Sequence, residues 1–175
     1  MQPWLHDRVA GYGSTERGRW VLLSYRLPRE PSTPRITLWR KLKKLGVAQM
    51  SDGVVALPDD ARSREHMEWL ADEVHEWGGE AGVWVATPTS RSQEAVLIEQ
   101  MTTARAAEYT DLAEQAQAAA ATAGADRTKT VRRLRAQWRQ IARRDYFPPA
   151  ERDRARAALR QLSDGVSTGA EGAVR

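Results

Sequence analysis

Residues 23–58 read LSYRLPREPSTPRITLWRKLKKLGVAQMSDGVVALP, and within them the apolar period switches from two residues to that of a helix and back. The first segment begins upstream at RWVLLSYRLP. There Val21, Leu23, Tyr25 and Leu27 alternate with Trp20, Leu22, Ser24 and Arg26, the pattern of a β-strand that Pro28 ends. Ser32 or Thr33 then stands where a helix N-cap belongs, Pro34 takes the first helical position, and Gly46 follows the last turn. Leu38, Leu42 and Leu45 share one face of that helix, while Arg40, Lys41, Lys43 and Lys44 lie across from it. VAQM and VVALP flank the turn residues Ser51, Asp52 and Gly53, which predicts a hairpin.

Working outward, Asp59 or Asp60 caps a second helix in which Met67, Leu70, Val74 and Trp77 keep helical spacing until Gly78 and Gly79 break it. EAGVWVATP supplies a last strand. Strand, helix, strand, strand, helix, strand is the ferredoxin-like order, so the expected class is α+β: a ferredoxin-like βαββαβ domain over residues 19–88, both helices on one sheet face. A helical extension is expected over 89–163. Its first helix carries a seam of Ile98, Met101, Tyr109, Leu112 and Ala116 interrupted by Arg105. A turn at AGAD leads to a second helix, 127 to about 145, with Val131, Leu134, Trp138 and Ile141 in a coiled-coil-like stripe. A third helix is expected to end near Leu162, with residues 1–18 a flexible arm and 164–175 a disordered tail.

The 175 residues contain no cysteine, which excludes disulfides, thiolate metal sites and a catalytic thiol. No stretch approaches the roughly 18 apolar residues of a membrane span, and the N-terminus lacks the apolar core of a secretion signal. The expectation is a soluble, cytoplasmic protein with no membrane partner. Charge is segregated. Residues 1–58 hold ten basic and four acidic side chains, 59–126 hold four and fourteen, and 127–147 hold eight and one. Two basic blocks around an acidic middle suit a surface facing a polyanion, and equally suit the blocks pairing with the middle.

Reacting groups are scarce. There is no GxSxG, P-loop or GxGxxG in a strand–turn–helix setting, His6 has no visible partner, and His66 and His75 flank acidic residues on the second helix. Glu68, Asp72 and His75 share a face whose spacing suits a metal, but a solvated acidic face explains them as well. The chain is therefore expected not to be an enzyme and to carry no cofactor or metal. Arg132, Arg135, Arg139 and Arg143 lie opposite the second tail helix's apolar stripe, where they can meet a phosphate backbone or pair with Glu94, Glu99, Glu108, Asp111 and Glu114. Arg26, Arg29 and Arg35 cluster at a helix N-terminus that favours an anion, unless they pair with Glu30. Trp20 and Trp84 have the parity to share the face that the two core helices leave open.

The phrase LLSYRLPREPSTPRITLWRKLKKLGVAQMSDGVVALP, followed by EWLADEVHEWGGEAGVWVA and IARRDYFP, resembles the N-terminal domain of the ChrB family of chromate resistance proteins, over about residues 19–162. The resemblance implies a cytoplasmic, chromate-responsive transcriptional regulator that binds DNA. That family usually carries a second, C-terminal domain, which the resemblance does not reach. The core is also similar to the central domain of phenylacetate-pathway repressors and to small CRISPR spacer-acquisition nucleases, which place a metal-binding Asp directly after a Tyr at the end of the first strand. Here Tyr25 is followed by Arg26, so metal-dependent phosphodiester cleavage is expected to be lost. The expected phosphate contacts are Arg35, Arg40, Lys41, Lys43 and Lys44, with Arg132, Arg135, Arg139 and Arg143. DNA is the expected macromolecular partner, with chromate as a candidate small ligand and a homodimer as the expected state. The competing expectation is a non-catalytic dimerising adaptor that partners a separate chromate-sensing protein.

Overall fold

The computed structural model describes residues 18–121 and 127–171, which fall into two compact units divided in the chain after Met101. In the first unit β1 (Trp20–Arg26) leads to α1 (Thr33–Leu45), β2 (Ala48–Ser51), β3 (Val54–Pro58), α2 (Ala61–Glu76) and β4 (Glu80–Ala86). The sheet order is β2-β3-β1-β4 with every pairing antiparallel, which is the ferredoxin-like arrangement expected from the sequence.

Local chemistry sets the elements as read. Pro34 lies in the first turn of α1, and the helix stops at Gly46, whose left-handed φ of 74° places its N–H on the carbonyls of Leu42 and Lys43. The α2 N-cap is Asp60, whose carboxylate accepts the Ser63 N–H at 2.7 Å. Gly53 in the β2–β3 turn has φ of 75°, and its carbonyl accepts the Tyr25 N–H at 2.7 Å, so a Cβ there would strike the Tyr25 carbonyl.

Register separates the two sheet faces. Val21 pairs with Leu57 and Val85, and Leu23 with Val55 and Val83, on the side where Leu38, Leu42, Met67, Leu70 and Val74 of α1 and α2 are buried. Each fully buried Val or Leu contributes roughly 1.5–3 kcal/mol. The opposite side carries Trp20, Leu22, Ala56 and Trp84. Trp20 and Trp84 do share it, yet their exposures are 1% and 61%. The difference comes from the first turns of α3 (Arg91–Ala121): Glu94 accepts from the Gly18 N–H at 2.7 Å and the Trp20 indole N–H at 3.4 Å. Gln100 adds two bonds to the Gln49 backbone, at 3.0 and 3.1 Å, and so occupies part of the β2 edge.

The second unit consists of the rest of α3, α4 (Arg127–Ala142) and α5 (Glu151–Glu171) around one apolar cluster. Tyr109, Leu112 and Ala116 from α3, Val131, Leu134 and Ile141 from α4, and Ala155, Ala158, Leu159 and Leu162 from α5 form it. Trp138 packs at its margin against Tyr109, ring centroids 5.0 Å apart. Three boundaries differ from the sequence expectation. The division falls inside α3 and not near residue 88, α4 stops at Ala142, and α5 runs nine residues beyond Leu162, through most of the expected tail. The expected arm over residues 1–17, the AGAD turn and the final residues 172–175 lie outside the described residues.

Candidate nucleic-acid interface

Arg132, Arg135 and Arg139 of α4 come together as the helical period requires, with Arg143, whose N–H donates to the Arg139 carbonyl at 3.2 Å, in the turn that follows the helix. Arg132, Arg135, Arg139 and Arg143 are all exposed, on the side of the helix away from buried Val131, Leu134 and Ile141. Among the described residues none of the four makes an ion pair with α3. Arg133 and Arg144 turn toward α3 in their place, Arg133 to Gln115 at 2.9 Å and Arg144 to Glu108 at 2.7 Å. Of the acidic residues that could have neutralised the row, Glu94 is committed to Trp20 and Gly18, and Asp111 accepts from Gln115 at 2.8 Å.

Two arginines that the sequence reading passed over extend this positive surface. Arg156 and Arg160 project from α5 into a groove also lined by Arg135, Trp138, Arg139 and Ser163. The Arg156 guanidinium lies 5.7 Å from the Trp138 ring centroid, and Arg135 donates to the Ser163 hydroxyl at 3.0 Å. The signal was present as Arg152, Arg156 and Arg160 at four-residue intervals, a single helical stripe.

Arg105 interrupts the apolar seam of α3 because it belongs to a buried ionic network. It is 7% exposed, lies 3.3 Å from Glu108, and shares Glu108 with Arg144. Asp145 accepts the Tyr109 hydroxyl at 2.9 Å and pairs with Arg152 at 3.5 Å. Burial pushes the Asp145 carboxyl above its ordinary range, against the lowering influence of the Tyr109 hydrogen bond and of Arg152 and Arg105. It pushes the Arg105 guanidinium down and the Tyr109 phenol up for the same reason. Arg144 and Asp145 are the centre of the IARRDYFP phrase, so in this chain that phrase helps to hold three helices together.

In the first unit the basic side chains are less uniform. Arg35, Arg40, Lys43 and Lys44 are exposed on α1, with the Lys43 ammonium 4.5 Å from the Trp39 ring centroid. Lys41 is placed differently from the phosphate-contact expectation: it binds both carboxylate oxygens of Glu73, Oε2 at 2.6 Å, and sits 5.9 Å from the Trp77 ring. Its charge is already matched. Arg26, Arg29 and Arg35 are exposed near the start of α1, and no ion pair joins them to Glu30 among the described residues. His75 Nε2 lies 3.2 Å from both the N and the O of Ala81, and no group of three or more His, Asp or Glu suited to a metal gathers among the described residues. None of the helices described is long and apolar enough to cross a membrane.

Comparison with known proteins adds the family. The family model described as "Protein ChrB, N-terminal" matches residues 35–126. Protein ChrB of Cupriavidus metallidurans (strain CH34) is 26% identical over 157 residues, covering 87% of this chain and 48% of that protein, so the chain spans about half the length of its curated relative. No solved structure matches. With more than half of its length inside the family match, the chain belongs to the ChrB N-terminal family.

Proposed function

We infer that this chain is a non-catalytic, DNA-binding part of a transcriptional regulator of chromate resistance, acting in the cytoplasm as a homodimer. The observation that supports it most is the row Arg132, Arg135, Arg139 and Arg143: four exposed guanidiniums on one helix face with no carboxylate partner among the described residues. Such a row meets successive phosphates and carries affinity without base readout. Exposed Arg35, Arg40, Lys43 and Lys44 of α1 are further phosphate contacts in this reading. Sequence preference then comes from dimer symmetry or from another domain.

The test is binding to a labelled duplex from the region upstream of the protein's own coding sequence, against a scrambled duplex, with and without chromate. Preferential binding, released by chromate, is the expected result. Replacing Arg132, Arg135, Arg139 and Arg143 with Gln should weaken binding at least a hundredfold with an unchanged circular dichroism spectrum. Retained affinity in that variant sinks the helix as the contact surface. Equal failure of the unaltered protein on both duplexes favours the adaptor reading. That reading draws on a different observation: Trp84 and Val85 are 61% and 46% exposed on β4, an edge strand whose apolar side chains suit a protein partner.

A further inference from the structure

The groove between α4 and α5 is built differently from the rest of the basic surface. Arg135 and Arg139 enter it from α4, Arg156 and Arg160 from α5, and no lining side chain is acidic. The two arginines with a described side-chain partner are held by neutral groups, Arg135 by the Ser163 hydroxyl at 3.0 Å and Arg156 over the Trp138 ring at 5.7 Å. Ser163 is itself fixed by donating to the Leu159 carbonyl at 2.8 Å, and Trp138 is fixed by Tyr109. Neutral partners orient a guanidinium without cancelling its charge. Four such charges around one groove repel one another, and that repulsion is relieved when an anion enters. Guanidinium forks converging from two helices match an anion that offers several oxygens in different directions.

The geometry points to a binding site for a tetrahedral oxyanion of the phosphate class between α4 and α5, held by Arg135, Arg139, Arg156 and Arg160. Trp138 and Ser163 are positioning residues that set two of the four guanidiniums. The site stands whether the oxyanion is a backbone phosphate of DNA or a free ion, so it does not depend on the regulatory reading above.

The test uses the full chain and compares thermal unfolding in sodium sulfate with that in sodium chloride at equal ionic strength, for the unaltered protein, R139Q/R160Q and R132Q/R143Q. Both variants lose two exposed positive charges, but only the first loses them from the groove. General salting-out by sulfate acts on all three proteins alike and cancels in the comparison. The expected result is a sulfate-dependent rise in Tm that R132Q/R143Q keeps and R139Q/R160Q loses, with the sulfate affinity of R139Q/R160Q at least tenfold weaker. An equal response from all three, or equal loss in both variants, overturns the site in favour of diffuse charge. A second arm measures duplex binding by R156Q/R160Q, which leaves the Arg132, Arg135, Arg139 and Arg143 row whole: a tenfold weaker duplex complex, competed by sulfate, assigns the groove to a backbone phosphate. A duplex affinity unchanged in R156Q/R160Q, alongside a lost sulfate response in the same variant, assigns it to a free oxyanion.

Discussion

Asp59, between β3 and α2, shows how one residue joins two basic ones. Its carboxylate accepts from Arg64 Nε and Nη2 at 2.6 and 2.7 Å and pairs with Arg19 at 3.0 Å, while its N–H donates to the Arg19 carbonyl at 2.9 Å. The side chain is only 5% exposed, and the hydrogen bonds from Arg64, with the Arg64 and Arg19 charges, hold its carboxyl below the usual aspartate value despite burial. A depressed folded pKa means that the unfolded chain takes up the proton first. The stabilisation is therefore complete above the unfolded value near 3.8 and is lost as pH falls through the lower folded value. Asp59→Asn should consequently lower Tm at pH 7 and flatten its fall below about pH 4, where ordinary aspartates titrate. Thermal melts of both proteins between pH 3 and 7 check this; parallel curves through the acid limb would show that Asp59 gains nothing from its arginines. Buried Asp145 has the opposite sign, since its raised carboxyl favours the protonated form in the folded state.

At the scale of elements, Leu134 of α4 is fully buried at the centre of the three-helix cluster. Leu134→Ala should cost about 2–5 kcal/mol, read as a lower denaturant midpoint with the slope unchanged. A loss under 1 kcal/mol would mean that the helices collapse around the gap. The periodicity that made Leu134 legible made most of the fold legible: the strand alternation at Trp20–Arg26, the Leu38 and Leu42 face of α1, and the Val131, Leu134, Ile141 stripe all stand where their spacing put them. Three features were not readable. Arg105 looked like a fault in a seam because the carboxylate it pairs with, Glu108, is completed into a network by Arg144, which is distant in the sequence. Trp20 and Trp84 have equal parity, and their different exposure depends on α3, whose Glu94 accepts from the Trp20 indole. The division after Met101 leaves no Gly, Pro or Ser signal, because α3 runs through it without a break. The candidate interface was half visible: the α4 row follows from spacing alone, whereas the groove needs α5 beside α4.

Across the whole molecule, an acidic middle between two basic blocks allowed both internal pairing and a polyanion surface, and the structure shows the pairing for some of the charges and leaves others exposed. Lys41 goes to Glu73, Arg19 to Asp59, and Arg144 to Glu108, each joining a basic block to the middle. Outside those pairs stand Arg35, Arg40 and Lys44 on α1, the α4 row, and Arg156 and Arg160 on α5. The acidic middle is not all used up in such pairs, since Glu65, Glu68, Asp72, Glu76, Glu99 and Glu114 are exposed as well. Counterion release turns that division into a measurable quantity: the log–log salt slope of duplex binding is near −0.9 per phosphate neutralised. Changing Arg132, Arg135, Arg139 and Arg143 to Gln should reduce the magnitude of the slope by about 4, roughly one for each lost contact. Lys41→Gln should leave it unchanged, since that ammonium is already paired with Glu73. Titrations at several salt concentrations separate the two kinds of cation. An unchanged slope in the α4 variant would move the DNA surface elsewhere, and a reduced slope for Lys41→Gln would mean that binding breaks the Glu73 pair to recruit it.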